Sequence, residues 1–333
     1  MPPRPQVFLT HTPEMRANYY GERALAELRA VADVRLNALG RVLTTKDVVA
    51  AAKGCAIIIS DRQTPGEAAV FDSLPDLVVF ERVAVDIRNV DVAAASRNGV
   101  LVTRASPGFV PAVAEWILGA MVDAARHVTH YSGAYRAGEA PPASRMGRQL
   151  KGCTIGIIGY GAIGSRLAEL ALALGMRVLV HDPYKKVATP LVQTDLAALL
   201  AEADFVVPLA VATEETENLI DAAALARMKP SAWLINASRG NLIDEAALER
   251  ALDAKKIAGA ALDVGRAPDQ MPSPHLARRA DVIATPHIAG LAPEAIEHQA
   301  LETARQAAAL IRGEIPAGAV NAEKATRLAR LKR

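Results

Sequence analysis

Residues 154–165 read T-I-G-I-I-G-Y-G-A-I-G-S: an apolar run, Thr154 to Ile158, opens into Gly159, Gly161 and Gly164 in the spacing G-x-G-x-x-G. A helical pattern from Ser165 to Leu174 follows. Strand, glycine turn and helix in that order predict the first βα unit of a doubly wound nucleotide fold. The first glycine permits the tight turn, the second lets the backbone approach a pyrophosphate, and the third lets helix and strand pack closely. The helix N-terminus then turns unpaired N–H groups and a positive dipole end toward the phosphates. A mere tight turn would also explain the glycines, but the next strand, Arg177 to His181, runs into Asp182, eighteen positions after Gly164. A carboxylate there can accept from the adenosine ribose hydroxyls and repels an added 2′-phosphate, which favours NAD over NADP. The plain alternative is a capping aspartate, and Lys185 and Lys186 nearby are ordinary solvated loop charges.

The alternation extends in both directions. From Cys153 to His287, strands are predicted at Thr154 to Ile158, Arg177 to His181, Phe205 to Leu209, Ala232 to Asn236, Gly259 to Leu262 and Val282 to Ala284. Six strands suit the doubly wound sheet. Upstream, β-branched runs at Val7 to Thr10, Val34 to Leu36, Ala56 to Ser60, Leu77 to Phe80 and Val100 to Thr103 alternate with helical patterns, which signals a second parallel sheet. Between them Val113, Ile117, Met121, Ala124 and Val128 recur at helical spacing, predicting a buried helix over Val110 to Val128 with Pro111 in its first turn. Gly133, Gly138, Pro141, Pro142 and Gly147 mark Tyr131 to Leu150 as a surface loop, fit for a boundary or an oligomer arm. Pro293 to Ile311 is a further amphipathic helix, with Ile296, Ala300, Ala304, Ala307 and Ile311 on one side, expected to return to the first domain. The basic tail, Lys324, Arg327, Arg330, Lys332 and Arg333, is expected to be solvated and frayed.

At 333 residues, 51% hydrophobic and 22% charged, the chain is long enough for about two globular domains. Lys and Arg exceed Asp and Glu by only two, which gives no grip for nucleic acid or an anionic membrane and leaves small-molecule chemistry. Cys55 and Cys153 lack metal-ligand spacing, so no metal and no disulfide are expected. Met1 to Leu9 carries no signal-like pattern and no run of 18 apolar residues occurs, so a cytoplasmic protein is expected.

The glycine turn with Asp182, Leu234 to Ile243 (L-I-N-A-S-R-G-N-L-I), Ala261 to Val264 (A-L-D-V) and Ala284 to Gly290 (A-T-P-H-I-A-G) together resemble the D-isomer-specific 2-hydroxyacid dehydrogenases, over nearly the whole chain. The resemblance implies an α/β protein of two Rossmann-like domains. A doubly wound NAD-binding domain, residues 105–290, would be inserted into a flavodoxin-like substrate domain made of 1–104 and 291–333, and the protein would pair as a homodimer. It implies that Arg239 holds the carboxylate of a small 2-oxo acid and polarises its carbonyl, and that His287 is the general acid/base for hydride transfer with NAD. The bland alternatives are a surface ion pair and a structural histidine. Asp263 would contact the nicotinamide carboxamide, or merely cap a turn. The expected cofactor contacts are Gly159, Tyr160, Gly161, Ala162, Ile163, Gly164, Asp182, Pro183, Ala210, Ala237, Ser238, Arg239, Asp263, His287 and Gly290.

Three departures qualify the likeness. The family's glutamate partner of the histidine is missing: the local sequence is D-V-G-R-A-P-D-Q-M-P, with Ala267 or Pro268 at its place. Either Asp269, the only nearby acid, swings its carboxylate toward His287 as a substitute catalytic group, or the imidazole has no carboxylate partner. Ala84 to Asp91 reads A-V-D-I-R-N-V-D where the family prefers G-V-G-x-D-N-x-D. In the family that loop offers backbone N–H groups to the substrate carboxylate, so Val85 and Asp86 are the expected substrate contacts; Asp86 and Arg88 either present different charges to the ligand or form a local surface pair that leaves the amides where they were. Leu209, Ala210 and Val211 stand where relatives have a His-x-Pro or Cys-x-Pro element. Two functions follow: an NAD-dependent reductase or dehydrogenase of a small 2-oxo or 2-hydroxy acid, or a non-catalytic NAD(H)-binding sensor or interaction protein of the same fold.

Overall fold

The computed structural model describes residues 4–138, 140 and 142–332. Met1, Pro141 and Arg333, which entered the readings of the N-terminus, the loop and the tail, lie outside the described residues. The chain divides into two compact units, Met1–Gly108 with Pro293–Arg333, and Phe109–Ala292.

The first unit is built on β1 (Gln6–Leu9), β2 (Asp33–Leu36), β3 (Ile57–Ser60), β4 (Val79–Arg82) and β5 (Leu101–Arg104), all parallel in the order β2-β1-β3-β4-β5. This is the flavodoxin-like order. The apolar runs are continuous because the sheet is covered on both faces. Val7, Leu9, Ile57 and Ile59 bury against one layer, and Phe8, Ile58, Phe71 and Phe80 against the other. The helix Pro293–Ile311 has the bounds the sequence predicts, and it packs on the helix Glu22–Val31 of this unit. Ala300, Ala304 and Ala307 are buried there, and so are the polar Thr303 and Gln306.

The second unit carries β6 (Thr154–Ile158), β7 (Arg177–His181), β8 (Val192–Gln193), β9 (Phe205–Pro208), β10 (Trp233–Asn236), β11 (Gly259–Leu262) and β12 (Val282–Ala284). Their order, β12-β11-β10-β9-β6-β7-β8, is doubly wound with the reversal of direction between β6 and β9. The two-residue edge strand β8 is added to the six expected. It is too short and too exposed to carry a periodicity signal.

Three local expectations change. The segment expected as a loop from Tyr131 begins as a helix, Val128–Arg136. The preceding helix, Val110–Arg126, stops at His127, which takes a left-handed φ of 59°. Asp123 then caps the new helix, accepting from the Thr129 N–H at 2.8 Å and from the Thr129 hydroxyl. The basic tail is docked rather than frayed. Arg327 donates to the carbonyls of Leu74 and Leu77 (3.0 and 2.9 Å), Arg330 donates to that of Pro75 (2.9 Å), and Leu328 and Leu331 pack on the core. Finally, β4 runs two residues beyond its expected end and takes Glu81 and Arg82, both fully buried, into the sheet.

Candidate active site

The nucleotide turn lies at the switch point of the second sheet. Gly159 has φ +97°, and a Cβ there would stand 2.7 Å from the Ala210 nitrogen, so only glycine fits. At Gly164 a Cβ would meet the Gly159 carbonyl oxygen at 2.5 Å, which is the close helix–strand approach the spacing predicts. Gly161 differs: it caps the helix Ala162–Ala173 without a side-chain bond, and a Cβ there would meet nothing within 4 Å. The open space at this helix N-terminus fits the pyrophosphate of a dinucleotide. Tyr160, Ala162 and Ile163 belong to the same turn.

Asp182 follows β7 and binds back to the turn. One carboxylate oxygen accepts from the Tyr160 N–H at 2.7 Å, and the other from the N–H groups of Tyr184 and Lys185 at 2.8 and 2.9 Å. Burial would raise this carboxyl, but the three N–H groups and the Lys185 charge outweigh it and hold its pKa below the ordinary aspartate value. A carboxylate has about four acceptor positions, so about one is left for a ribose hydroxyl. Pro183 beside it is exposed.

At the same sheet edge, the buried Asn236 ends β10 by donating to the Arg239 carbonyl at 2.9 Å and accepting from the Ser238 N–H at 3.0 Å. This tight turn, with Ala237 inside it, leaves Arg239 exposed; one of its guanidinium nitrogens donates to the Ser238 carbonyl at 2.7 Å.

Asp263 ends β11 and is 1% exposed. One oxygen accepts from the Thr285 hydroxyl (2.6 Å) and the Ile288 N–H (2.8 Å), and the other accepts from the Ala289 N–H (2.7 Å). Its carbonyl accepts from the His287 N–H at 2.9 Å. The carboxylate is thus the clasp of the loop carrying His287, which is the turn-capping alternative. Gly290 closes that loop against Phe109, 3.2 Å from a Cβ placed there.

His287 is exposed and held at φ 56°. Its Nδ1 lies 2.9 Å from the main-chain carbonyl oxygen of Asp269, not from a carboxylate. The expected swing of the Asp269 side chain does not occur: Asp269 has a left-handed φ of 57°, which turns its carbonyl to the imidazole and leaves the residue exposed. Ala267 and Pro268 precede that turn and make no bond to His287 among the described residues.

Val85 and Asp86 belong to the first unit, at the carboxyl ends of its strands. Arg88 donates to both Asp86 oxygens, at 3.0, 2.9 and 2.6 Å, which is the local pair weighed above. Val85 is half-buried. Beneath the loop is a network that no motif announces. The buried Arg82 donates to the Asp61 carbonyl and, at 2.6 Å, to the Asn89 side chain. Asp61 in turn accepts from the hydroxyls of Thr10 and Thr64 at 2.6 and 2.5 Å. Burial lowers the Arg82 pKa to about 10 against the pull of Asp61 and Asp86. The signal was a Glu-Arg pair inside an apolar run, where charges are admitted only if partnered or neutralised.

Comparison with known proteins agrees with this fold. Residues 118–289 match the model of the D-isomer specific 2-hydroxyacid dehydrogenase NAD binding domain. A glyoxylate reductase of Korarchaeum cryptofilum is 32% identical over 331 residues, covering 96% of this chain and 97% of that protein. A D-3-phosphoglycerate dehydrogenase of Synechocystis sp. is 37% identical over 251 residues, covering 74% of this chain; the match takes in only 45% of that longer relative. Among solved structures, a D-isomer specific 2-hydroxyacid dehydrogenase from Polaromonas sp. superposes with a TM-score of 0.83 at 26% identity, covering 96% of this chain and 100% of the other.

Proposed function

This chain belongs to the D-isomer-specific 2-hydroxyacid dehydrogenase family and is an NAD-dependent oxidoreductase, and we propose that it interconverts a small 2-oxo acid and its 2-hydroxy acid through Arg239 and His287. The observation that carries the proposal is the convergence of the glycine turn, Asp182, Arg239 and the clasped His287 loop at the carboxyl ends of parallel strands, where α/β enzymes bind ligands. The turn and Asp182 hold NAD, with Pro183, Ala210, Ala237, Ser238 and Gly290 as further contacts. When bound, NADH supplies the hydride that the carbonyl carbon accepts. Arg239 grips the substrate carboxylate with its planar fork and draws electron density toward the carbonyl oxygen. His287 gives that oxygen a proton from Nε2 as the C–H bond forms, and removes it in the reverse direction.

Homodimer formation and a cytoplasmic location are part of the same proposal. The helices from Val110 and Val128 leave a shallow open groove lined by Val122, Val128, Tyr131 and Tyr135 together with Arg126, Ser132 and Arg136, support for pairing through the NAD-binding unit. Cys55 and Cys153 are free and buried, as suits a reducing compartment. No helix among the described residues is long and apolar enough to cross a membrane.

The test is NADH oxidation against glyoxylate, hydroxypyruvate, pyruvate, 2-oxoisocaproate and phenylpyruvate, with Arg239→Gln and His287→Asn alongside. Turnover with at least one acid is expected, with KM raised chiefly by Arg239→Gln and kcat lowered chiefly by His287→Asn. Tight NADH binding without turnover would establish the non-catalytic alternative, which the lack of a carboxylate on His287 favours.

A further inference from the structure

We infer that the main-chain carbonyl of Asp269 is the fixed partner of His287 in catalysis, and that the left-handed turn at Asp269 and Gln270 exists to present it. The inference rests on the reading of His287 as the acid/base. Asp269 and Gln270 both have φ 57° and His287 has φ 56°, so both residues of the 2.9 Å contact, and Gln270 next to it in the chain, lie in the left-handed region. Residues with a Cβ hold that conformation only where their surroundings impose it.

The surroundings impose it on both sides. The Asp269 turn is closed by Gly265 N–H donating to the Gln270 carbonyl (2.8 Å) and Ala267 N–H donating to that of Met271 (3.1 Å). Arg266 ties it down through Glu217 (2.9 Å) and the Ile243 carbonyl (3.1 Å), and the Arg266 N–H donates to Glu245 at 3.0 Å. The His287 backbone is held independently by the Asp263 clasp. Neither partner therefore needs a side-chain rearrangement to keep the pair together.

A carbonyl oxygen only accepts. Nδ1 must carry the hydrogen, and Nε2 is the atom that gains and loses the catalytic proton. The carbonyl brings no formal charge, so it stabilises imidazolium less than a carboxylate partner does. The charged groups carried by neighbouring elements of this unit are Asp263, whose two oxygens are engaged by three donors of its own loop, Glu217 and Glu245, both bonded to Arg266, Asp269 with its exposed side chain, Arg239 and Arg266 itself. None supplies a carboxylate to the imidazole among the described residues. The side chain at position 269 is thus dispensable and its backbone conformation is not.

Asp269→Asn and Asp269→Gly both tolerate the left-handed region, whereas the β-branched Asp269→Val is driven out of it and takes the carbonyl away. Asp269→Val should lose at least about tenfold in kcat relative to Asp269→Asn and Asp269→Gly, with NADH affinity retained in all three. In uniformly ¹⁵N-labelled protein, neutral His287 should be the Nδ1–H tautomer in the wild type and in Asp269→Asn. An Nε2–H tautomer in the wild type, or an Asp269→Asn as impaired as Asp269→Val, overturns the inference. Undiminished turnover by His287→Asn would defeat only the acid–base reading, because the tautomer is measured without turnover.

Discussion

Glu81 offers a sharp test of how the first unit is balanced. It lies in the middle of β4, in register with Ile59 on one side and Thr103 on the other, and is 0% exposed. Neither carboxyl oxygen has a hydrogen-bond partner among the described residues, and the hydroxyls of Thr103 and Tyr20 are likewise unpartnered. Burial pushes its pKa well above the ordinary glutamate value. The folded state therefore holds a proton that the unfolded chain releases above about pH 4.3. Because the folded pKa is the higher one, this contribution to stability is fully present in acid and is lost as pH rises through the folded value. Between the unfolded and folded pKa values the slope is about −1.4 kcal/mol per pH unit, so wild type should lose about that much per unit against Glu81→Gln, which keeps the shape and cannot ionise. His11, whose pKa burial lowers to about 4, adds an opposite dependence in acid, but both proteins carry it and it cancels in the comparison. Trp116 and Trp233 lie in the second unit, so the assay is hydrogen exchange of the Val79–Arg82 segment in increasing urea between pH 5 and 8. The variant should overtake wild type progressively as pH rises. Parallel profiles would mean that Glu81 is ionised in the fold and would refute the reasoning.

Two further outcomes are expected. NADH should bind at least tenfold more tightly than NADPH, about 1.4 kcal/mol, and Asp182→Ala should narrow that gap while loosening the turn that Tyr160 anchors; equal affinities for the two cofactors in a fluorescence titration of the wild type would count against Asp182 as the discriminator. Light scattering should give a dimer at micromolar concentration, and charges placed by Val128→Glu with Tyr135→Glu should split it; a monomeric wild type would remove the pairing proposal.

The parts of the fold that recur with a period were legible in the sequence. β6, β7, β11, β12 and the helix Pro293–Ile311 match their expected bounds because a buried parallel strand or an amphipathic helix leaves a pattern in residue type. The nucleotide turn was equally plain, since its glycines answer to local sterics. What escaped depends on particular bonds and burial that no periodicity announces. The Tyr131 helix depends on an Asp123 cap, the docked tail on carbonyls of Leu74 and Leu77, and the last residues of β4 on burying Glu81 and Arg82. At the candidate site, spacing identified His287 and Asp263 but not how they are held. The bond from Asp269 comes from its main chain, and a main-chain carbonyl carries no signature in side-chain identity.

The first unit is assembled from the two ends of the chain, and this sets an order on its making. The helix Pro293–Ile311 covers its sheet, Asn321 satisfies the Val102 N–H at 2.8 Å, and Arg327 closes the carbonyls of Leu74 and Leu77. During synthesis the β1 to β5 segment emerges first and must wait for those partners while the contiguous stretch 109–292 is translated and folds. At ribosomal speeds that wait is on the order of ten seconds or more, with the face of the sheet that Ala300, Ala304 and Ala307 cover still incomplete. The nucleotide unit, contiguous in sequence, has its whole core in hand before the first unit has all of its chain.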